Sequence, residues 1–206
     1  MLISLYLEAA EAAHANLTRY DQAAGDGDFG DNLRDGLRGA YSRIPFTSDL
    51  AAEVEAAATY FLDEVGGTSG PLLGLLLQRL AAGVTATPSD VDGGIVRGLS
   101  DGTAAIQRVG EAKVGDRTLV DCLAPTLDGL RAAPGPIDWT AAAAAALAHA
   151  RATADLTPRM GRASYVGERA LGTPDAGAMG VALLFWALAL YRRPESRHQL
   201  TAPGEA

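Results

Sequence analysis

The chain has 206 residues, 48% of them hydrophobic and 20% charged, enough for one domain with a real core. Its 17 Lys and Arg stand against 25 Asp and Glu, a formal net charge of −8. That balance speaks against binding a nucleic-acid backbone or an anionic membrane surface, since both recruit basic patches. The N-terminal segment has no basic stretch and turns acidic at Glu8 and Glu11, so it does not read as a signal peptide. The longest uncharged apolar run, 176–191, is shorter than the ~20 residues of a membrane-crossing helix. A single cysteine, Cys122, allows no internal disulfide, and a cytoplasmic location is expected.

Alanine dominates, including the run 141–146, and alternating β-branched stretches are scarce, which predicts an all-α domain. Eight helices are expected in chain order, over 2–18, 30–43, 49–65, 70–83, 89–109, 116–132, 138–156 and 177–193. Gly66-Gly67 stops the third, and Thr68-Ser69-Gly70-Pro71 reads as a cap with proline in the first turn of the fourth. Asp138 can cap the alanine-rich seventh helix, and Pro194 closes the eighth. One domain over 1–193 is expected, followed by a polar tail over 194–206 that should fray.

The connections fall into two classes. Helices two, four and six end in simple proline-bearing stops, at Pro45, Pro88 and Pro134 to Pro136. Helices one, three, five and seven end in DQAAGDGDFG (21–30), GGTSGP (66–71), GEAKVGD (110–116) and a long segment over 157–177. In an antiparallel up-down array with short connections, those four loops share one end of the molecule. The Gly-rich, Asp-rich and Arg-bearing chemistry therefore gathers on one rim.

Asp21, Asp26 and Asp28 fall within eight residues, interleaved with Gly25 and Gly27 and followed by Gly30. Carboxylates so close repel one another unless a cation stands between them, and their oxygens select a hard ion such as Mg²⁺. A solvated acidic turn capping the second helix is the other reading. An EF-hand is excluded: counting from Asp26, the sixth and twelfth positions are Asp31 and Leu37, not Gly and Glu. The start of the fourth helix offers backbone N–H groups and the hydroxyls of Thr68 and Ser69 to an anion, though many helix starts do. Arg159, Arg162 and Arg169 of the long loop could bind phosphate or form surface ion pairs with residues such as Glu168. His14, His149 and His198 lie away from the rim segments, and Cys122 and the stretch Leu183 to Trp186 read as core. A polyphosphate bridged to the aspartates by divalent cations uses the whole set.

With these residues in view, the chain resembles the nucleotide-binding L subunit (DhaL type) of dihydroxyacetone kinase. The resemblance rests on DQAAGDGDFGDN (21–32), GGTSGPLLG (66–74), KVGDRTLVD (113–121) and GRASYVGERALGTPDAG (161–177), in that order. It implies an antiparallel eight-helix barrel holding ADP or ATP and two Mg²⁺ ions at one rim. Asp21, Asp26 and Asp28 match the family's metal ligands. Phe29, Gly30, Asp31 and Asn32 match its phosphate-lining stretch, and Thr68 and Ser69 its anion-holding turn. Gly110 and Leu119 match positions beside adenine and ribose, and Arg162, Asp175, Ala176 and Gly177 match the segment closing over the nucleotide. Phe29 stands where the family often has His, and Ala176 where it often has Pro.

The resemblance further implies half a reaction. A separate K subunit would hold the keto-triose, and this chain would supply the phosphoryl group, with no general base of its own. The donor is either ADP kept as a cofactor and recharged by a phosphotransferase-system phosphoprotein (an M subunit), or ATP that exchanges. Two other readings stand beside it: a subunit of a related kinase, acting on an erythrulose-like sugar or a fatty acid, with the GRASYVGER segment against the latter, and a nucleotide-loaded regulatory module that docks a transcription factor.

Overall fold

The computed structural model describes residues 1–205. Among them are eight α-helices: α1 (Leu2–Gln22), α2 (Phe29–Arg43), α3 (Leu50–Glu64), α4 (Ser69–Ala86), α5 (Val91–Gly110), α6 (Val120–Ala132), α7 (Trp139–Ala152) and α8 (Ala176–Arg192). Each packs against its neighbour in sequence, and α1 packs against α8, so the ring closes into an up-down helical barrel. No helix among the described residues is long and apolar enough to cross a membrane.

Close helix contacts rest on small residues. A Cβ on Gly98 of α5 would lie 2.6 Å from the Arg79 carbonyl oxygen and from Leu80 Cα of α4, so the two backbones meet there without side chains between them. Gly30 does the same for α1 and α2, where a Cβ would meet Thr18 Oγ1 at 2.4 Å. At the end away from the rim, Asp92 of α5 accepts from Trp139 Nε1 (2.8 Å) and Arg192 Nε (2.6 Å), joining α5, α7 and α8.

Helix α8 is buried at every position from Ala178 to Leu190. A helix apolar all round needs cover all round. Part of the cover comes from the tail, which does not fray as its polarity suggests. Residues Pro194–Gln199 form a 3₁₀ turn packed on α8, and Pro203–Glu205 form another packed on α1. Arg197 pairs with Glu8 and lies 5.2 Å from the Trp186 ring, while Asn16 Nδ2 and Arg151 Nη2 hold the Gly204 and Glu205 carbonyls at 3.1 and 2.7 Å. Residue 206 lies outside the described residues.

Four boundaries differ from the sequence expectation by three or four residues: α1 ends at Gln22 rather than 18, α4 at Ala86 rather than 83, α7 at Ala152 rather than 156, and the start of α6 moves most informatively. Helix α6 begins at Val120 rather than near 116. The Asp121 carboxylate accepts from Gly115 N and Thr118 N (2.5 and 2.7 Å), which holds 115–118 in a turn, with Arg117 at a φ of 61°.

Candidate functional site

The loops after α1, α3, α5 and α7 meet around one pocket of about 260 Å³. Asp21, Asp26, Phe29 and Asn32 line it from the first, and Thr68 and Ser69 from the second. Gly110, Arg117 and Leu119 line it from the third, and Arg162, Asp175, Ala176 and Gly177 from the fourth. Its apolar wall adds Leu72, Ile106 and Met160, positions that a reading for polar chemistry had no reason to single out.

Helix ends explain the pocket's electrostatics. The odd-numbered helices start at the far end, and each receives a carboxylate there. Asp49, Asp90 and Asp138 cap α3, α5 and α7, and Glu53 of α3 accepts from Ile3 N at the start of α1 (2.6 Å). The even-numbered helices start at the rim. The N-cap residues of α2, α4 and α6 (Asp28, Thr68 and Leu119) make no side-chain cap. The starts of α2 and α6 are met from neighbouring positions instead, by Asp21 Oδ2 accepting from Phe29 N (3.1 Å) and Thr118 Oγ1 accepting from Val120 N (3.2 Å), while the start of α4 receives no side-chain cap and favours an anion. The fourth start, that of α8, is capped by Asp175 through Ala178 N at 2.8 Å.

The acidic loop is shaped by its glycines. Gly27 sits at a φ of 85°, and a Cβ on Gly25 would come within 2.6 Å of Asp21 Oδ1. Asp21 Oδ2 accepts from Phe29 N at 3.1 Å, fixing that carboxylate against the start of α2. Asp26 forms an ion pair with Arg162 across the pocket mouth. Asp28 is exposed and outside the pocket wall, and among the described residues no three acidic, His or Cys side chains converge as a ready-made metal cage. Mg²⁺ needs no such cage: one or two carboxylates, water and ligand phosphates satisfy it, and Asp21 and Asp26 supply that all-oxygen donor set.

Helix phase decides the rest of the phosphate-lining stretch. Phe29 and Asn32 are three residues apart and share the pocket face. Asp31 points outward, where His14 Nε2 and Arg34 Nη2 hold it at 2.9 and 2.6 Å and keep its pKa below the usual carboxylate range. Gly30 faces α1 and lies outside the pocket wall. The Phe29 ring runs beneath the pocket toward α8, where its Cζ would be 2.7 Å from a Cβ on Gly180. Phe29 therefore gives the pocket a floor and no hydrogen-bond donor.

The long loop is anchored at both ends. Gly172 N donates to the Ala154 carbonyl (2.9 Å), Asp175 N to Thr153 Oγ1 (2.8 Å) and Arg159 N to the Asp116 carbonyl (3.1 Å). Glu168 and Arg169 stay outside the pocket wall, and Arg159 makes a long ion pair with Asp116 at 3.8 Å. Asp175 is only partly exposed to solvent, and its pKa is pushed up to about 6 by burial, against the Ala178 N–H bond and the Arg117 charge.

A model of the DAK2 domain matches residues 23–190. The chain is 41% identical over 186 residues to an L-erythrulose 1-kinase of Mycolicibacterium smegmatis, covering 84% of this chain and 32% of that one. It therefore spans about a third of that enzyme's length. It is 34% identical to the ADP-binding subunit DhaL of a PEP-dependent dihydroxyacetone kinase from Listeria innocua, covering 84% of each chain. The dihydroxyacetone kinase of C. freundii, crystallised with AMP-PNP and Mg²⁺, superposes with a TM-score of 0.72 at 27% identity, over 92% of this chain and 33% of that one. By sequence motif, domain match and barrel architecture together, the chain belongs to the DAK2-domain family of DhaL-type subunits.

Proposed function

We propose that this chain binds ADP or ATP with Mg²⁺ at the rim pocket and is the phosphoryl-donor subunit of a keto-sugar kinase. The observation that carries the reading is the meeting of Asp21 and Asp26 with the uncapped start of α4 around one pocket. The base fits the apolar wall of Leu72, Ile106, Leu119 and Met160, with Gly110 leaving room beside it. The N–H groups opening α4, with Thr68 and Ser69, donate to phosphate oxygens. Asp21 and Asp26 hold Mg²⁺, with Asp28 of the same loop as a third candidate ligand. Mg²⁺ bound there neutralises phosphate charge that an acidic rim would otherwise repel. Arg162, Asp175, Ala176 and Gly177 border the nucleotide from the long loop.

The chain carries no general base in this scheme, because positioning and charge neutralisation do the work of phosphoryl transfer. The sugar belongs to a separate K subunit. Exposed Val109 at the end of α5, with Val114, Tyr165 and Leu171 on the loops after α5 and α7, forms an apolar surround suited to a partner that closes the rim. Dihydroxyacetone is the first acceptor to try. An erythrulose-type ketotetrose is the second reading, favoured by 41% identity to an L-erythrulose 1-kinase against 34% to a DhaL subunit.

Calorimetric titration of the purified chain with ADP, with and without Mg²⁺, tests the binding half of this reading. Tight binding only with Mg²⁺ is expected, and a chain that binds neither ADP nor ATP with Mg²⁺ refutes it. Phosphoryl transfer to each keto sugar, with a K subunit added, then separates the acceptors. An M subunit and phosphoprotein donor separates retained ADP from exchanging ATP.

A further inference from the structure

Arg117 holds a left-handed backbone in the turn before α6 and leaves only 2% of its surface exposed. Its Nη2 donates to the carbonyl oxygens of Ala170 and Thr173, at 3.3 and 2.8 Å. Nε and Nη1 are buried with no hydrogen-bond partner. Burial of a guanidinium with two donors unpaired is expensive unless something nearby answers its charge. Asp175 does so only through space: it supports the charged form of Arg117 against burial, yet makes no direct ion pair with it among the described residues.

The position of Arg117 says what the charge is for. It belongs to the loop after α5 and grips the end of the loop after α7, and both loops line the pocket. The segment it grips leads directly into Asp175 and the start of α8. The other cation lining the pocket, Arg162, is already paired with Asp26. An acidic rim that takes a polyphosphate gains from a fixed positive charge in its wall, and a buried arginine cannot lose its proton or swing away.

We propose that Arg117 is a positioning residue for the nucleotide's phosphates: its buried charge is balanced by them, and its hold on the Ala170 and Thr173 carbonyls sets the pocket side of the long loop. The inference rests on the nucleotide reading of the pocket. Base and sugar meet the apolar wall, so the Arg117 charge acts on ADP and not on adenosine. A merely structural role would weaken both ligands alike.

The test is calorimetry with excess Mg²⁺ on the parent chain, Arg117→Gln and Arg117→Lys, each titrated with ADP and with adenosine. For Arg117→Gln the expected result is a loss of about tenfold or more for ADP, with adenosine changed less than about twofold. Arg117→Lys keeps the charge and holds the ratio of ADP to adenosine affinity within about threefold of the parent. Equal losses for both ligands in Arg117→Gln, or unchanged ADP binding, overturn the proposal. If Arg117→Gln does not fold, Arg117→Lys decides, and a ratio that collapses despite the retained charge overturns it. A parent chain that fails to bind Mg²⁺-ADP overturns the nucleotide reading itself, and this inference with it.

Discussion

Asp175 tests the electrostatics of the pocket without any ligand. Its pKa is pushed up from the usual 3.8 to about 6, chiefly by burial, with Asp121 and Asp21 adding repulsion. An aspartate with a raised folded pKa costs stability when ionised: the cost is absent below pH 3.8, grows as pH rises, and is complete above about pH 6. At about 1.4 kcal/mol per pH unit the full cost is about 3 kcal/mol, and water at its part-exposed edge reduces this to about 1–2 kcal/mol. Asn caps a helix about as well as Asp, so Asp175→Asn keeps the bond to Ala178 N and removes the charge. Thermal melts of the nucleotide-free variant are expected to exceed the parent by about 2–6 °C at pH 8. Near pH 4.5 the difference shrinks to within about 2 °C. A variant less stable than the parent at pH 8, or a difference that does not change with pH, refutes the assignment of buried charge at this helix start.

Three further outcomes follow from the geometry. Asp26→Asn breaks the pair with Arg162, but both partners are exposed, so melting shifts by under about 1 kcal/mol while Mg²⁺-dependent ADP binding falls by about tenfold to a hundredfold in calorimetry. Gly98→Ala forces a Cβ against the α4 backbone at 2.6 Å and is expected to cost about 2–3 kcal/mol in urea unfolding, with the helical circular dichroism of the folded state retained. Arg197→Ala removes an exposed pair with Glu8 and a contact over Trp186, and is expected to cost about 1 kcal/mol and to speed amide exchange in 194–205.

Much of this fold is readable from where the chain puts its stops. Proline-bearing turns end α2, α4 and α6, and Gly-rich loops end α1, α3, α5 and α7. In an up-down ring, that alternation alone separates a plain end from a functional one. Direction rather than identity decides which of the expected residues line the pocket. Asp31 shares a motif with Asn32, but one step along a helix turns the side chain by about 100°, toward His14 and Arg34. Phe29, by contrast, does line the pocket, and its ring packs beneath it toward Gly180 of α8. The tail is polar by composition, yet Pro203 and Ser196 are buried, because α8 is apolar on every side and must be covered. Arg117 was hidden for the opposite reason: a charged residue in a turn reads as surface, and only the carbonyls of Ala170 and Thr173 reveal that it points inward.

The two ends of the barrel solve the same problem in different ways, and the difference bears on how an acidic chain would hold the polyanion proposed for the rim. Every helix start exposes orphan N–H groups that need an acceptor. At the far end the protein supplies its own, through Glu53, Asp49, Asp90 and Asp138. At the rim the start of α4 has no side-chain cap, Asp21 and Thr118 meet the first N–H groups of α2 and α6, and Asp21 and Asp26 line the pocket. Carboxylates placed beside helix starts would compete with an anionic ligand if they did nothing but accept from those N–H groups. Bridged to that ligand by a divalent cation they would serve as its anchors instead, so the proposed nucleotide affinity is expected to depend on Mg²⁺ far more than on ionic strength. If added salt weakens ADP binding as strongly as removing Mg²⁺ does, the pocket works by diffuse charge and this division of labour between the two ends is wrong.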